Sequence, residues 1–271
     1  MESDDSPKYI KCLLGGAFAG MVVDFALFPL DTVKTRLQSE LGFWKSGGFR
    51  KIYSGIGSVA VGSAPNAALF FCTYETVKHL FKSKIGFQND QFAQMIAAST
   101  GEAVACLIRV PTEVIKQRSQ ATKVKSIKIF RNTVRNEGFK GLYRGYLTTL
   151  LREIPFGLVQ YPLWETLKSK WYQRIKQPLH PWQATVCGAI AGGFAAFVTT
   201  PLDVAKTRIM LAQKGSKHAS GDVIFVLKSI WKSSGTRGLF SGVVPRVLWI
   251  AFGGALFLGS YDTFKYLTKN L

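Results

Sequence analysis

The residues best suited to chemistry in this chain are an acid and a base that lie three positions apart, just after a proline. The pattern occurs three times: Asp31 and Lys34 follow Pro29, Glu113 and Lys116 follow Pro111, and Asp203 and Lys206 follow Pro201. Residues three apart share one face of a helix, so these side chains are placed to form ion pairs. A single copy is typical of a kinked helix with a solvated end. Three copies with the same spacing indicate a repeated functional element.

A threefold arrangement lets each acid contact the base of a neighbouring repeat. We therefore predict a ring of three ion pairs, the proline-motif ring: Asp31 with Lys116, Glu113 with Lys206, and Asp203 with Lys34. A second string, an aromatic residue followed by an acid and then a base, recurs at 74–78, 164–168 and 261–265. It lies on the second long helix of each repeat, that is, on the even-numbered helices of the predicted six, and supplies a second ring that we call the even-helix ring: Glu75, Lys78, Glu165, Lys168, Asp262 and Lys265. Which acid pairs with which base in this ring cannot be read from the sequence.

Two charged rings at opposite ends of a helical bundle predict two gates that open in turn. An exposed ion pair contributes roughly 0–1 kcal/mol. Three such pairs would hold a gate closed by only about 3 kcal/mol at most, an amount that the binding of a substrate can supply.

The strings recur in one order about 80 to 90 residues apart, which divides the chain into three tandem repeats. We place the repeats at 1–84, 85–176 and 177–271, within one structural domain. A third string, clearest at 137–145, lies between the other two. Each repeat is predicted to be a hairpin of two long helices joined by a basic amphipathic helix. The predicted fold is an all-α membrane protein with six transmembrane helices and pseudo-threefold symmetry. Small residues predict close helix contacts at Gly16, Gly20, Gly188 and Gly192.

The composition narrows the function classes. The net charge of +19 allows nucleic-acid binding, but the chain has no Lys, Arg, Asp or Glu between Lys51 and Glu75 or between 177 and 202. Such stretches match membrane spans of ~20 residues and disfavour a soluble nucleic-acid module. The acidic first residues argue against a secretory or Arg-rich transit signal. The cysteines form no CxxC pair, so we interpret all four as buried free thiols and expect no disulfide and no metal site: Cys12, Cys72, Cys106 and Cys187.

Asp24 is the acid most suggestive of a binding site. It lies in an otherwise apolar stretch five residues before Pro29, and a carboxylate within a membrane helix is costly unless it has a function. The alternative is a structural ion pair with Arg109 or Arg152. Glu102 is equally ambiguous, because pairing with Arg109 explains it as well as contact with a substrate does.

The three strings resemble the motifs of the mitochondrial carrier family over essentially the whole chain. The resemblance implies a multi-pass carrier of the mitochondrial inner membrane, and a monomer, with matrix-side amphipathic helices. The proline-motif ring would close the matrix side and the even-helix ring the cytoplasmic side. It also implies glutamine braces at Gln38 and Gln120, whereas the third repeat has Met210 instead. Cardiolipin is expected near 53–55, 143–145 and 240–242, less clearly where Ser54 and Ser241 replace a basic residue.

The family also implies where a substrate binds. Its contact positions fall here on Gly62, on Arg152 and Glu153, and on Trp249 and Ile250, and an Arg-acid pair resembles the amino-acid carriers. An arginine binds a carboxylate through two hydrogen bonds, and acids suit cations. The site therefore favours a zwitterion with an added positive charge. Lysine, arginine, ornithine and S-adenosylmethionine all satisfy this description.

A wider resemblance at 63–68, 151–156 and 199–210 is to family members that carry S-adenosylmethionine. It implies import of S-adenosylmethionine in exchange for S-adenosylhomocysteine. In this interpretation Arg152 binds the carboxylate, Glu153 and Asp24 face the ammonium and sulfonium, and the remaining contacts come from Asn66, Phe156, Trp249 and Arg246. A carrier of basic amino acids is the nearest alternative, and a passive ion channel is another. We expect no cofactor and no enzyme activity, because a Gly-rich strand-turn-helix loop of the kind a methyltransferase needs is missing.

Overall fold

The computed structural model describes residues 6–84, 90–177, 179–212, 215–216 and 221–267, and every regular element in these ranges is a helix. The all-α prediction is therefore confirmed. In chain order the helices are α1 Ser6–Gln38, α2 Gly42–Lys45, α3 Ile56–Lys84, α4 Asp90–Thr122, α5 Ser126–Glu137, α6 Phe139–Leu142, α7 Tyr146–Ile175, α8 Pro181–Val198, α9 Thr200–Leu211, α10 Val223–Leu239 and α11 Val243–Leu267.

The long helices pack as antiparallel pairs that join adjoining repeats. Helix α3 packs along α4, α7 along α8, and α11 along α1. The two long helices within repeat one and within repeat two touch at few points, whereas in repeat three α11 also packs along α8. The pairing of α11 with α1 closes the bundle. A continuous uncharged stretch gives α3 the apolar surface for this packing.

The motif prolines are accommodated in two ways. Pro29 and Pro111 lie inside the continuous helices α1 and α4. In the third repeat the helix breaks at Thr199, and α8 and α9 meet at an angle of 63°. The hydroxyls of Thr199 and Thr200 donate to the carbonyls of Ala195 and Ala196, a bonding pattern that bends helices.

The linking segments confirm the amphipathic prediction in repeat two and differ elsewhere. Helix α5 carries its basic residues on one side and buries Ile129 on the other. Helix α10 is longer and is interrupted at Gly235, whose φ is 58°. In repeat one the segment has only the four residues of α2.

Three equivalent glycines allow the long helices to approach each other closely. Gly55, Gly145 and Gly242 all have a positive φ, of 99°, 88° and 75°. A β-carbon at Gly55 would lie 2.9 Å from the carbonyl oxygen of Lys116, and one at Gly242 would lie 3.2 Å from that of Lys34. Only glycine adopts this backbone conformation freely and leaves room for the neighbouring backbone.

The predicted close contacts at the paired glycines are partly wrong. A β-carbon at Gly192 would meet Ile250 at 2.7 Å, and one at Gly188 would lie 3.8 Å from Trp164, so α8 does approach its neighbours there. Gly20, in contrast, faces open space. The surroundings of Gly16 lie outside the part of the chain that the structure describes.

Apolar length alone identifies few membrane spans in the described part of the chain. One helical segment, Ile56–Phe81, is long and apolar enough to cross a bilayer. The number rises to three if the bent pairs Trp182–Val198 with Thr200–Leu211 and Val223–Leu239 with Val243–Leu256 each count as one span.

The cysteine prediction holds in part. Cys106 and Cys187 are buried free thiols, but Cys72 is exposed on α3, because it lies on the face of that helix turned away from its neighbours. The side chain of Cys12 is outside the described residues.

Candidate functional site

A cavity of about 460 Å³ lies between the long helices, which is within the size range of small-molecule sites. Its wall combines the proline-motif ring with polar and aromatic residues from α3, α4, α7 and α11. The lining residues are Asp24, Asp31, Lys34, Val59, Gly62, Ser63, Asn66, Arg109, Thr112, Glu113, Lys116, Arg152, Asp203, Lys206, Arg246, Trp249 and Ile250.

All three ion pairs expected for the proline-motif ring are present. The distances are 2.8 Å from Lys116 Nζ to Asp31 Oδ2, 2.7 Å from Lys206 Nζ to Glu113 Oε2, and 2.8 Å from Lys34 Nζ to Asp203 Oδ2. The antiparallel pairs α3–α4, α7–α9 and α11–α1 bring the motifs to a common axis. That the ring functions as a gate stays a prediction.

The glutamines at the expected brace positions contact the ring. Gln120 donates to Asp31 Oδ2 at 2.9 Å, and Gln38 donates to Asp203 Oδ2 at 2.8 Å. The sequence analysis assigned no glutamine brace to the third acid, Glu113. In the structure Gln117, four residues further along α4, donates to it at 3.0 Å.

The ring is more deeply buried than the sequence estimate assumed. The side chains of Lys206 and Asp203 are only 4% and 5% exposed. Removing one partner from a buried pair costs roughly 3–5 kcal/mol, far more than an exposed pair contributes. The figure of 0–1 kcal/mol per pair therefore does not apply to this ring.

The last base of each proline motif is an arginine that binds a neighbouring motif helix outside the ring, a role that the sequence analysis did not assign. Buried Arg36 donates to the carbonyl of Gln120 and to those of Gly48 and Arg50. Arg118 donates to the carbonyl of Met210, and Arg208 to that of Gln38. Each arginine thus caps the end of the next motif helix. The recurrence of an arginine at the eighth position of all three motifs was the sequence feature that could have predicted this role.

Asp203 makes the ring asymmetric because three bases surround it. Besides Lys34, the Nε atoms of Arg246 and Arg152 lie 3.8 and 3.9 Å from its carboxylate oxygens. Arg246 is 3% exposed and also donates from Nη2 to Thr199 Oγ1 at 2.8 Å. The other two acids of the ring each have one lysine partner within 4 Å in the described residues.

A chain of alternating charges runs beside the cavity. Arg152 pairs with Glu153, and Arg109 pairs with Glu102. Glu153 lies 4.0 Å from Arg109. Glu102 is thus a partner of Arg109, which was one of its two predicted roles. Glu153 and Phe156 were expected at the substrate but do not line the cavity. The contacts of Glu153 with Arg152 and Arg109 hold its carboxylate outside the cavity lining, and Phe156 is likewise absent from that lining.

Several polar groups of the wall have no hydrogen-bond partner. They are the buried atoms Asn66 Oδ1, Arg152 Nε and Arg246 Nη1. Buried polar atoms are usually satisfied, so three unsatisfied atoms around one cavity are candidates for contacts with a ligand. Two are donors suited to an anion, and one is an acceptor suited to an amino group. Asp24 also lines the cavity and forms no ion pair with the described residues.

The even-helix ring is not assembled in the part that the structure describes. Lys78 lies 4.0 Å from Glu75 and Lys168 lies 2.7 Å from Glu165, each on its own helix. Lys168 also lies 3.6 Å above the ring of Trp164. The side chains of Asp262 and Lys265 are outside the described residues. The structure therefore has the proline-motif ring closed and these even-helix charges in contacts within single helices.

Comparison with known proteins agrees with this architecture. The family model for mitochondrial carrier proteins matches residues 5–43, 41–85, 88–174 and 177–270. The chain belongs to the mitochondrial carrier family. It is therefore a multi-pass transporter of the mitochondrial inner membrane and not an enzyme.

Among similar carriers, the mitochondrial S-adenosylmethionine carrier protein of Danio rerio is 56% identical over 95% of this chain and 97% of its own length. The protein of that name from Xenopus tropicalis is 58% identical over 96% and 97%. The S-adenosylmethionine mitochondrial carrier protein homolog of Drosophila melanogaster is 52% identical over 94% and 92%.

The carrier's cavity wall also includes residues that the sequence analysis did not assign to substrate binding. Ser63 follows the expected contact Gly62, and Thr112 follows the motif proline Pro111. Arg109, one helical turn before Glu113, was considered only as an ion-pair partner. Each lies next to, or one helical turn from, a position that the sequence analysis had already singled out, and this proximity could have identified it.

Proposed function

We propose that this carrier imports S-adenosylmethionine into the mitochondrial matrix in exchange for S-adenosylhomocysteine. The observation that carries the proposal is the set of unpartnered groups in one cavity: a free carboxylate, two arginine donors and an amide oxygen. S-adenosylmethionine presents a cationic sulfonium, a carboxylate and an adenine amino group to match them. The names of the similar carriers point to the same substrate.

Two arginines are suited to the methionine carboxylate. Arg152 Nε and Arg246 Nη1 are both unpartnered, and both guanidinium groups lie just under 4 Å from Asp203. At that distance each arginine is attracted to Asp203 without a full hydrogen bond. A substrate carboxylate that accepts from both would therefore gain charge-assisted hydrogen bonds that the empty site lacks.

Asp24 is the group suited to the positive end of the substrate. It is the acid of the cavity wall that has no base within ion-pair distance among the described residues, so it is available to a sulfonium or ammonium group. Asn66 Oδ1 can accept a hydrogen bond from the adenine amino group, and Trp249 can stack on the adenine ring. We assign Glu153 to orienting Arg152 and not to the substrate.

The two rings provide alternating access in this proposal. The state described here has the proline-motif ring closed on one side of the cavity. Substrate binding would supply the free energy that separates its buried pairs while the even-helix charges come together. We also propose that the carrier is a monomer and that cardiolipin binds near the three positive-φ glycines, where backbone N–H groups begin α3, α7 and α11.

Uptake into proteoliposomes tests the function. Labelled S-adenosylmethionine should enter vesicles loaded with S-adenosylhomocysteine, and excess lysine, arginine or ornithine outside should not compete. Arg152→Ala and Asp24→Ala should each abolish uptake. Arg131→Ala and Asp222→Asn, on the exposed segments of α5 and before α10, are the matched controls.

Two results would contradict the proposal. Strong competition by lysine or ornithine would favour a carrier of basic amino acids. A current across vesicles that hold no internal substrate would indicate a passive channel.

A further inference from the structure

The uncharged polar side chains of the cavity wall are gathered on one side of it. Apart from Trp249, the described wall residues whose side chains form hydrogen bonds without carrying a charge are Ser63, Asn66 and Thr112. The first two lie on α3, and Thr112 lies on α4, which packs along α3. The charged residues that α4 adds to the wall all have ion-pair partners. This side of the cavity is therefore suited to a neutral, polar part of a ligand.

The two hydroxyl groups on this side are left with only acceptor lone pairs. Ser63 Oγ donates to the carbonyl of Val59 at 2.8 Å, and Thr112 Oγ1 donates to that of Arg109 at 2.8 Å. A hydroxyl has one proton and two lone pairs, so neither group has a donor left. Asn66 Oδ1, about one helical turn beyond Ser63, is a further acceptor without a partner. A ligand group that binds the two hydroxyls must therefore donate hydrogen bonds.

Thr112 lies beside Ser63 because Gly62 leaves room for it. A β-carbon at Gly62 would lie 2.5 Å from Thr112 Cγ2 and 3.0 Å from Thr112 Oγ1, so a larger residue would displace the threonine. The other two proline motifs have Leu30 and Leu202 at the position of Thr112, and neither leucine lines the cavity. The two adjacent hydroxyls are thus a property of the second motif alone, matched to a glycine on the neighbouring helix.

The substrates of the proposed exchange contain a pair of neutral donors that fits this arrangement. Their α-ammonium is a cation and is suited to Asp24, and their adenine amino group is suited to Asn66. The donors that remain are the two adjacent hydroxyls of the ribose. Lysine, arginine and ornithine carry no hydroxyl group.

We propose that Ser63 and Thr112 bind the ribose hydroxyls of the substrate and make the carrier selective for a ribonucleoside. S-adenosylmethionine and S-adenosylhomocysteine contain the same ribose, so one pair of acceptors serves both directions of the exchange. This inference rests on the proposed function and adds the residues that recognise the sugar.

Inhibition of uptake by sugar-modified ligands tests the proposal. Proteoliposomes take up labelled S-adenosylmethionine while S-adenosylhomocysteine, or either of its two monodeoxy analogues, is added outside. Each analogue lacks one ribose hydroxyl and keeps every charge. We expect each to inhibit the unaltered carrier about threefold to tenfold more weakly than S-adenosylhomocysteine does, because one hydrogen bond is lost.

Substitution of the two acceptors assigns the contacts. Thr112→Val and Ser63→Ala should each weaken inhibition by S-adenosylhomocysteine to the same extent. For each variant, one monodeoxy analogue should inhibit as well as S-adenosylhomocysteine, because the contact that the missing hydroxyl would make is already absent. Thr112→Ser keeps the oxygen and should keep the discrimination. Thr100→Val is the matched control, since this threonine of α4 also donates to its own helix but does not line the cavity.

The ratio of two inhibition constants in one protein does not depend on how much of that protein is folded. For a variant that no longer transports, the rise in melting temperature that each ligand causes in detergent gives the same comparison.

The outcomes separate the two proposals. If S-adenosylmethionine enters but the monodeoxy analogues inhibit as well as S-adenosylhomocysteine, the ribose inference alone is wrong. If Thr112→Val and Ser63→Ala discriminate against the analogues as the unaltered carrier does, the assignment to these residues is wrong. If S-adenosylmethionine does not enter at all, the proposed function itself fails.

Discussion

Lys34 in the first repeat and Asp203 in the third form a 2.8 Å ion pair that joins these two repeats. The same carboxylate lies near Arg152 and Arg246 and accepts a hydrogen bond from Gln38. The pair is therefore both a member of the proline-motif ring and the point where that ring meets the proposed carboxylate site.

Charge reversal should affect the Lys34–Asp203 pair differently from the Asp31–Lys116 pair. Asp31→Lys and Lys116→Asp should each lower uptake at least ~10-fold, because each places two like charges at ion-pair distance in a largely enclosed site, and the double variant should recover transport. The equivalent reversal of Lys34 and Asp203 should not recover, because a lysine at 203 would face two arginines. Uptake by reconstituted vesicles is the measurement. Recovery in neither double variant would remove the ring as a gate.

The glutamines should stabilise the closed ring. Gln38 donates to Asp203 and accepts from Thr207 at 2.7 Å, so Gln38→Ala leaves buried groups unsatisfied at a cost of about 1–3 kcal/mol. We expect the melting temperature in detergent to fall by about 2–4 °C per kcal/mol. Gln173→Ala, on the exposed end of α7, is the control. Equal melting temperatures for the two variants would show that Gln38 adds nothing.

The positive-φ glycines should tolerate no side chain. Gly55→Ala and Gly242→Ala should each lower the free energy of unfolding by more than about 1 kcal/mol, since the backbone conformation disfavours a β-carbon and a neighbouring carbonyl occupies its place. Gly57→Ala, inside α3 with nothing within 4 Å, should be neutral or stabilising. Thermal unfolding of the purified carrier compares them. A Gly55→Ala protein as stable as Gly57→Ala would contradict the packing described.

Arg246 should act on substrate affinity. Arg246→Lys keeps the charge but loses the planar donor set that reaches both Thr199 and the cavity, so KM for S-adenosylmethionine should rise roughly tenfold. Arg131→Lys on exposed α5 is the matched control. An unchanged KM with a lower maximal rate would assign Arg246 to the ring alone.

The ring and its pairing sense could be predicted because three repeats of one motif impose them, and the two glutamine contacts could be expected from the resemblance to the mitochondrial carrier family. Other features depend on details that a repeat does not carry. The break at Thr199 arises from two consecutive threonines in one repeat only. Glu153 turns to Arg109, which lies far away in the sequence. The state of Lys78 and Lys168 also could not be predicted, since the same residues can pair within a helix or between helices and the two arrangements differ little in energy.

The antiparallel packing of α11 on α1 has a consequence for connectivity. A β-carbon at Gly253 would lie 3.6 Å from Leu27, and one at Gly242 would lie 3.2 Å from Lys34, so the beginning of α1 and the end of α11 lie at the same end of the bundle. The contacts between the repeats therefore do not depend on which repeat comes first along the polypeptide. A circularly permuted chain that starts at the second or third repeat would make the same contacts.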